Sequence, residues 1–342
     1  MKFWEPVAHD AIPVGDLWYR KYEPQNLDGI IGNESIIRIL KYYLGNNNIP
    51  HLLIMGKNGV GKKTAISCLV KEYLGSHYDY ACLNIHGSIY RGKDVVSENT
   101  DQKKSDKVND APNIINFIKK LTLLPKHLCK IIVIYDFDHM TKEAQMALRR
   151  IVEIYSDKTR FIFLCNDMSN IIEAIQSRCV LIKFNHISDD DISIVLNQIA
   201  EKEKIKLPKE VNDVITLSAD GDLKQAIGYL QIISKANEIN IDNFYKIFNM
   251  PSFITIKQII GYCMAKDHRA YKLLQGLIDN GYNINDILDI ILKVVSDYEF
   301  PNEKIRKEYI KAIAKCFYMT ETSNSHQHLY YLVSTMSNGI GI

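Results

Sequence analysis

The stretch from His51 to Thr64 (His-Leu-Leu-Ile-Met-Gly-Lys-Asn-Gly-Val-Gly-Lys-Lys-Thr) constrains this chain more than any other. A short apolar run, His51–Met55, enters a loop with glycines at 56, 59 and 61, and a helical pattern opens at Lys62. Gly56-x-x-x-x-Gly61-Lys62 has the spacing of a phosphate-binding loop. The glycines let backbone N–H groups turn inward around phosphate oxygens. The helix N-terminus adds the positive end of its dipole, and Lys62 adds a full charge at the β/γ-phosphates. Gly56, Lys57, Asn58, Gly59, Val60, Gly61, Lys62, Lys63 and Thr64 are the candidate nucleotide-holding residues, with ATP or ADP the expected ligand.

One position breaks the pattern. A hydrolysing loop of this kind carries Ser or Thr directly after the lysine, because that hydroxyl ligates Mg²⁺. Here the position holds Lys63. An ammonium cannot ligate a cation and repels one. Thr64 lies one residue on, roughly 100° further round the helix, and is a poor substitute. The other half of such a site is an acidic pair ending a neighbouring strand, one carboxylate for the metal and one for the attacking water. The candidate strand, Lys130–Asp136, runs into Tyr135-Asp136-Phe137-Asp138. Asp136 takes the place of the second carboxylate and Tyr135 that of the first. If the register slips by one, Asp136 becomes the metal residue and Phe137 replaces its partner. In either register one essential carboxylate is missing. Both changes fall on the same ion, so no metal ligand is assigned, Mg²⁺ is not expected in its usual role, and poor hydrolysis is the expectation.

From Leu17 to about Phe184 short apolar runs alternate with helical patterns. The strand candidates are His51–Met55, Tyr80–Ile85, Lys130–Asp136, Arg160–Cys165 and Val180–Phe184, separated by helical patterns at Lys62–Leu74, Asn113–Leu121 and Thr141–Tyr155. The runs are continuous rather than alternating, the mark of strands buried on both faces of a parallel sheet covered by helices. Residues 1–16 read as an extension, and the polar stretch 97–112 as a surface insertion. Beyond Phe184 the strand signals stop. Ser188-Asp-Asp-Asp191 reads as a helix cap, Pro208 opens a second helix, Gly221 ends it, and Asp222 caps a third over Leu223–Ile233. Further on, Ile284, Ile287, Leu288, Ile291, Leu292, Val295 and Tyr298 form one helical stripe, and Ile305, Tyr309, Ala312, Ile313, Cys316 and Phe317 another. The expected domains are an extension (1–16), an α/β nucleotide-binding domain (17–185), a helical lid (186–245) and a second all-helical domain (246–342).

Composition narrows the class. Forty-two basic residues against forty acidic ones exclude a histone-like cation and an acidic tail, yet leave room for a basic face. No apolar run approaches the roughly 18–20 residues of a membrane span, and the first residues lack the apolar core of a signal peptide, so a soluble intracellular protein with no membrane partner is expected. The seven cysteines are odd in number and never spaced Cys-x-x-Cys, which speaks against a disulfide framework or a zinc knuckle.

Further segments resemble a clamp-loader small subunit of the AAA+ class, of the replication factor C type. Trp18-Tyr-Arg-Lys-Tyr22-Glu-Pro24, continuing to Gly32, is similar to the family's N-terminal box, which flanks the adenine, with Glu23 departing from the family Arg. Asn84 and Arg91-Gly-Lys-Asp-Val-Val96 are similar to its Asn-Ala-Ser-Asp-Glu-Arg-Gly-x-Asp-Val-Val segment. Met140–Arg150 resembles the helix after the acidic motif, Ser177-Arg178-Cys179 the Ser-Arg-Cys motif, and Gly221-Asp-Leu-Lys224 the sensor-2 helix. The matches run from about residue 17 to 233. The last hundred residues agree with the family's collar only in being helical.

The resemblance implies an AAA+ P-loop domain with a five-stranded parallel sheet, a helical lid and an all-α collar. It implies a heteropentamer that opens a sliding clamp and places it on primer–template DNA, with nucleotide sites between neighbours. By position Arg178 is then the arginine finger serving the adjacent subunit, Asn166 is sensor 1, Asp136 belongs to the degenerate acidic motif, Tyr22 lies beside the base, and Lys224 stands in for the sensor-2 Arg. Arg91 and Lys93, near an expected helix start, are the candidate DNA-backbone contacts, and the helix of Asn113–Leu121 would face the clamp. Arg149 and Arg150 precede Glu153 by about one helical turn, so part of that set is expected as a surface salt bridge. The Gly-Lys-Lys-Thr loop resembles the one eukaryotic small subunit whose own site does not hydrolyse, whereas Arg-Gly-x-Asp-Val-Val looks more like the hydrolysing ones. A nucleus or a viral replication compartment is the implied location. Two alternatives stay open: an active AAA+ motor of helicase or recombination type, and a scaffold that binds no nucleotide.

Overall fold

The computed structural model describes residues 17–92, 114–120, 124–125, 128–236, 238–298, 300–323 and 325–338. The expected extension 1–16, the insertion 97–112 and Lys93 lie outside the described residues. The chain divides into two compact units, one ending at Lys235 and one beginning at Ala236.

The first unit is built on five strands: β1 (Leu52–Met55), β2 (Cys82–His86), β3 (Lys130–Tyr135), β4 (Thr159–Cys165) and β5 (Val180–Lys183). All pairings are parallel, in the order β2-β3-β4-β1-β5. Its helices, in chain order, are α1 (Trp18–Lys21), α2 (Glu34–Gly45), α3 (Lys62–Leu74), α4 (Tyr78–Ala81), α5 (Ile114–Lys119), α6 (Lys142–Ile154), α7 (Glu173–Gln176), α8 (Asp189–Lys202), α9 (Lys209–Ala219) and α10 (Leu223–Ile233).

Successive strand residues point to opposite faces, and both faces are covered. Leu52, Ile54, Ile131, Val133, Ile162 and Leu164 join one core with residues of α2 and α3. Leu53, Ile132, Ile134, Phe161 and Phe163 join another with Phe137 and residues of α6. Burial on both sides is why the strands read as unbroken apolar runs. Lys130, at the start of β3, is buried but satisfied: its ammonium donates to the carbonyls of Phe117, Ile118 and Lys120 at the end of α5. Cations suit a helix C-terminus, where carbonyls lack intrahelical partners.

The helical boundaries follow local chemistry. Ser188 caps α8 by accepting from the Asp191 N–H, and Asp222 caps α10 by accepting from that of Gln225. Between α9 and α10 the chain reverses through two left-handed residues, Asp220 and Gly221, at φ 50° and 78°. A side chain at 221 would collide with His186.

The second unit holds α11 (Ile241–Phe248), α12 (Phe253–Met264), α13 (Arg269–Asp279), α14 (Ile284–Asp297), α15 (Glu303–Thr322) and α16 (Gln327–Asn338). Ile287, Leu288, Ile291 and Val295 of α14 and Tyr309, Ile313 and Cys316 of α15 are buried in one core with Ile256, Leu274 and Leu332. The Tyr309 hydroxyl donates to the Met336 carbonyl at 3.1 Å, so the largest core side chain leaves no polar atom orphaned. All seven cysteines are free; burial pushes the thiols of Cys68 and Cys316 up to about 11 and those of Cys82, Cys165 and Cys179 to about 12, which keeps them protonated. No described helix is long and apolar enough to cross a membrane.

His51, at the mouth of β1, accepts the Phe161 N–H on Nδ1 at 3.1 Å. Burial, helped by the Arg160 charge, pulls its pKa from 6.5 down to about 4. Above pH 6.5 the ring is neutral folded and unfolded. As pH falls toward 4 the unfolded chain takes up a proton that the folded chain refuses, so stability drops across that window. Urea denaturation at pH 7 and pH 5 is expected to show this loss, with a shallower dependence in His51→Gln.

Candidate functional site

The glycine loop leaves the carboxyl end of β1, and α3 begins at Lys62 with Gly61 at its N-cap. Gly59 and Gly61 have φ of 72° and 89°, the left-handed region that favours glycine. Gly56 needs its bareness for another reason: a Cβ there would stand 2.9 Å from the Phe184 carbonyl oxygen. No side chain caps α3, so its first N–H groups are left to whatever the loop encloses.

Lys62 is only 6% exposed, and burial draws its pKa below the usual lysine value. Its ammonium donates to the carbonyls of Gly56 and Lys57, the latter at 3.1 Å, and to Asn166 Oδ1 at 2.7 Å. Asn166 follows β4 and is itself anchored: its N–H donates to Asp138 Oδ2 at 3.2 Å. Asp138 Oδ1 is buried without a hydrogen-bond partner. The structure thus brings the loop lysine and the expected sensor together through a carboxylate of the degenerate acidic motif.

The metal half of the site is differently occupied. Lys63 Nζ lies 3.5 Å from both carboxylate oxygens of Asp136 and 5.5 Å from the centre of the Tyr135 ring. Tyr135 ends β3, stacks on His86 with 4.9 Å between ring centres, and donates its hydroxyl to Asn84 Oδ1 at 3.3 Å. Burial drives the phenol pKa far up, so the group offers no anion. Thr64 is turned to the N-terminal box, its hydroxyl donating to Glu23 Oε1 at 3.0 Å. Among the described residues no three His, Cys, Asp or Glu side chains converge to hold a metal. The residues here do not fit a Mg²⁺ ion of the ordinary kind.

They do fit a nucleotide. A cavity of about 900 Å³ runs from the loop to Tyr19, Tyr22, Ile30 and Ile31 on one side and to Val195, Ile199 and Lys224 on the other. Lys224 Nζ stands 4.6 Å from the centre of the Tyr19 ring. Tyr22 donates to Glu203 Oε1 at 2.5 Å, and Lys21 pairs with the same oxygen at 2.6 Å, fastening α1 to the end of α8. These two hydrogen bonds hold the Glu203 carboxyl below its usual range.

Arg178 lies at the other edge of the sheet. In the parallel register Val180 faces Leu52, so Arg178 is level with the residues before β1, while the loop follows it. About six residues at ~3.3 Å each put on the order of 20 Å between them, beyond one side chain's reach. Arg178 is engaged by Glu153 through Nη2 and by the Ala174 carbonyl at 2.7 Å and Ser177 Oγ at 3.2 Å through Nη1. Glu153 also accepts from Arg149 Nε at 3.3 Å, the expected salt bridge on α6. Arg91 follows the turn after β2, its Nε donating to the Ser88 carbonyl and its own carbonyl accepting from the Thr141 N–H; the helix start expected near Arg91 and Lys93 lies outside the described residues.

Comparison with known proteins decides the family. The replication factor C C-terminal domain family matches residues 251–335, and the DNA polymerase III delta subunit family matches residues 32–188. The chain is 36% identical over 301 residues to probable replication factor C subunit 2 of Dictyostelium discoideum, covering 87% of this chain and 85% of that one. It is 35% identical over 298 residues to replication factor C subunit 4 of Saccharomyces cerevisiae, covering 86% and 87%. It is 34% identical over 327 residues to the replication factor C small subunit of Methanococcus vannielii, covering 93% and 98%. The chain belongs to the replication factor C small-subunit family. Its fold is also that of the Thermotoga maritima RuvB branch migration motor, at a TM-score of 0.52 and 15% identity over 71% of this chain and 79% of that one. This is the AAA+ P-loop fold, here followed by the helical replication factor C domain.

Several pairings in this replication factor C subunit's site escaped the sequence reading. Glu203, Glu153 and Asp138 fasten Tyr22, Arg178 and Asn166, yet they lie 181, 25 and 28 residues from those partners. A lone carboxylate on a helix or turn carries no signal for such pairing. Asp222 is a further case. Its capping role was legible, but its carboxylate also packs so close to Gly59 that a Cβ there would overlap it. Gly59→Ala is therefore expected to lower stability by about 1 kcal/mol or more, from the left-handed backbone and the displaced Asp222 cap. A shift of the urea midpoint to lower concentration checks it.

Proposed function

We propose that this chain is a nucleotide-binding subunit of a clamp loader whose own site hydrolyses poorly and which lends Arg178 to the site of a neighbouring subunit. The observation that carries the reading is the Lys63–Asp136 pair, an ammonium facing a carboxylate where a divalent ion has to be gripped. The position of Arg178 supports the second half. A guanidinium at the far edge of the sheet cannot serve its own loop and is free to serve another chain's.

In this reading the loop amides of residues 56–61 and the first turn of α3 hold the phosphates. Lys62 exchanges its carbonyl partners at Gly56 and Lys57 for phosphate oxygens, and Asn166 keeps it aimed. Tyr19, Tyr22 and Lys224 line the remainder of the cavity. ATP and ADP are the ligands of matching charge and size. The partners are the other loader subunits in a heteropentamer, a sliding clamp and primer–template DNA, with Arg91 and Lys93 toward the phosphate backbone. Such contacts are salt-sensitive and blind to sequence. An intracellular site of action, in a nucleus or a viral replication compartment, follows from that role.

Two measurements test the reading. The purified chain, given ATP, primed DNA and clamp, is expected to show no turnover above the level of Lys62→Ala; robust turnover lost in that variant overturns the claim of poor hydrolysis. In the assembled loader Arg178→Ala is expected to cut turnover at the one neighbouring site by on the order of 10³-fold, the usual worth of a finger in trans. Nucleotide binding by this chain should be unchanged. Unaltered loader turnover overturns the finger assignment.

A further inference from the structure

We infer that this site binds its nucleoside di- or triphosphate free of any divalent cation, with the Lys63 ammonium supplying the positive charge that a metal ion provides elsewhere. The inference rests on the reading of the 900 Å³ cavity as a nucleotide site and goes beyond it by stating the ionic form of the ligand.

The charge balance of the three altered positions carries the argument. A divalent ion gripped by two carboxylates and a hydroxyl makes a locally neutral set. Here Lys63 contributes one positive charge, Asp136 one negative charge, and Tyr135 a neutral phenol, so the set is already neutral without an ion. A divalent ion entering this set would meet one carboxylate, already shared with an ammonium 3.5 Å away.

The neighbouring carboxylates are engaged elsewhere: Glu23 accepts from Thr64 Oγ1, Asp222 from the Gln225 N–H, and Asp138 Oδ2 from the N–H groups of Asn166 and Asp167, while Asp138 Oδ1 is buried without a partner. Thr64, the hydroxyl residue after Lys63, donates to Glu23 Oε1.

What a metal-free polyphosphate needs is cationic donors, and the site has them. Lys62 is buried at the loop, Lys224 borders the cavity, and Lys63 sits at the first turn of α3 with its side chain 54% exposed. That exposure leaves the flexible stem of Lys63 free to turn from Asp136 toward a phosphate oxygen. Lysine is a point charge with three rotatable donors and needs no fixed coordination geometry to do this.

The test is calorimetric titration of the full chain with ADP and with a non-hydrolysable ATP analogue. Each is run in magnesium chloride and in EDTA at matched ionic strength. Because magnesium sequesters free nucleotide, the expected apparent Kd is tighter in EDTA than in magnesium chloride, by more for the triphosphate analogue than for ADP. A Kd equal in the two conditions, or weaker in EDTA, overturns the inference while leaving the nucleotide site intact. Absence of saturable binding in both conditions overturns the nucleotide reading, and the inference with it. The double variant Lys63→Thr, Tyr135→Asp rebuilds the hydroxyl and the missing carboxylate. It is expected to bind at least tenfold more tightly with magnesium than with EDTA. Equal binding in both conditions by a variant with unchanged circular dichroism would show that these positions do not set the ionic requirement, and would overturn the assignment. Lys63→Met alone, which keeps the length of the stem, is expected to weaken binding in EDTA by roughly tenfold.

Discussion

Parallel pairing sends the carboxyl end of every strand to the same edge of a sheet, and this constraint organises the first unit of the molecule. With β1 seated between β4 and β5, the glycine loop, Asn166 after β4 and Asp136 after β3 all emerge along one edge. Their side chains meet there although they are far apart in the chain: Lys62 reaches Asn166, and Lys63 reaches Asp136. The same constraint puts Arg178, which precedes β5, at the opposite edge. In the proposed reading, a nucleotide held at one edge and an arginine offered at the other work between chains stacked side by side. The arrangement fails within one chain, because a side chain cannot cross the length of the sheet.

At the loop edge the chemistry turns on one exchange of charge. Replacing a hydroxyl by an ammonium and a carboxylate by a phenol leaves the local sum of charges where a metal-loaded site would have it. In the proposed reading it leaves no grip for the ion that polarises a phosphate for attack. The exchange also explains why the fold tolerates it. Asp136 retains a counter-ion, Tyr135 finds Asn84 for its hydroxyl and His86 for its face, and the phenol stays protonated under burial. Binding and hydrolysis are separable in such a site, because the amides of the loop and the charge of Lys62 serve the first and the missing ligands serve the second.

Much of the architecture was legible in particular residues. The five apolar runs stand within two residues of the observed strands at each end, and α3 spans Lys62–Leu74 as its periodicity and the preceding glycine predict. Ser188 and Asp222 cap the helices they were read as capping. The stripes at 284–298 and 305–317 face the core of the second unit. Such features are local: a cap acts over three residues, a helical face over four, and a buried strand over five. The tie between the Arg91 carbonyl and the Thr141 N–H spans fifty residues and left no mark in the sequence.

By itself the sequence determined the phosphate loop, the residue types Lys63 and Tyr135 where metal ligands are usual, the buried parallel strands, and a family signature that comparison upheld. These are properties of residue type and short spacing, which a one-dimensional pattern contains. Only the tertiary structure decided where the replaced groups turn: Lys63 to Asp136, Tyr135 to Asn84, Thr64 to Glu23, Tyr22 to Glu203, and Arg178 to Glu153. The physical reason is that ion pairs and hydrogen bonds between side chains depend on distances of about 3 Å, and strand order and helix packing, not sequence separation, set those distances.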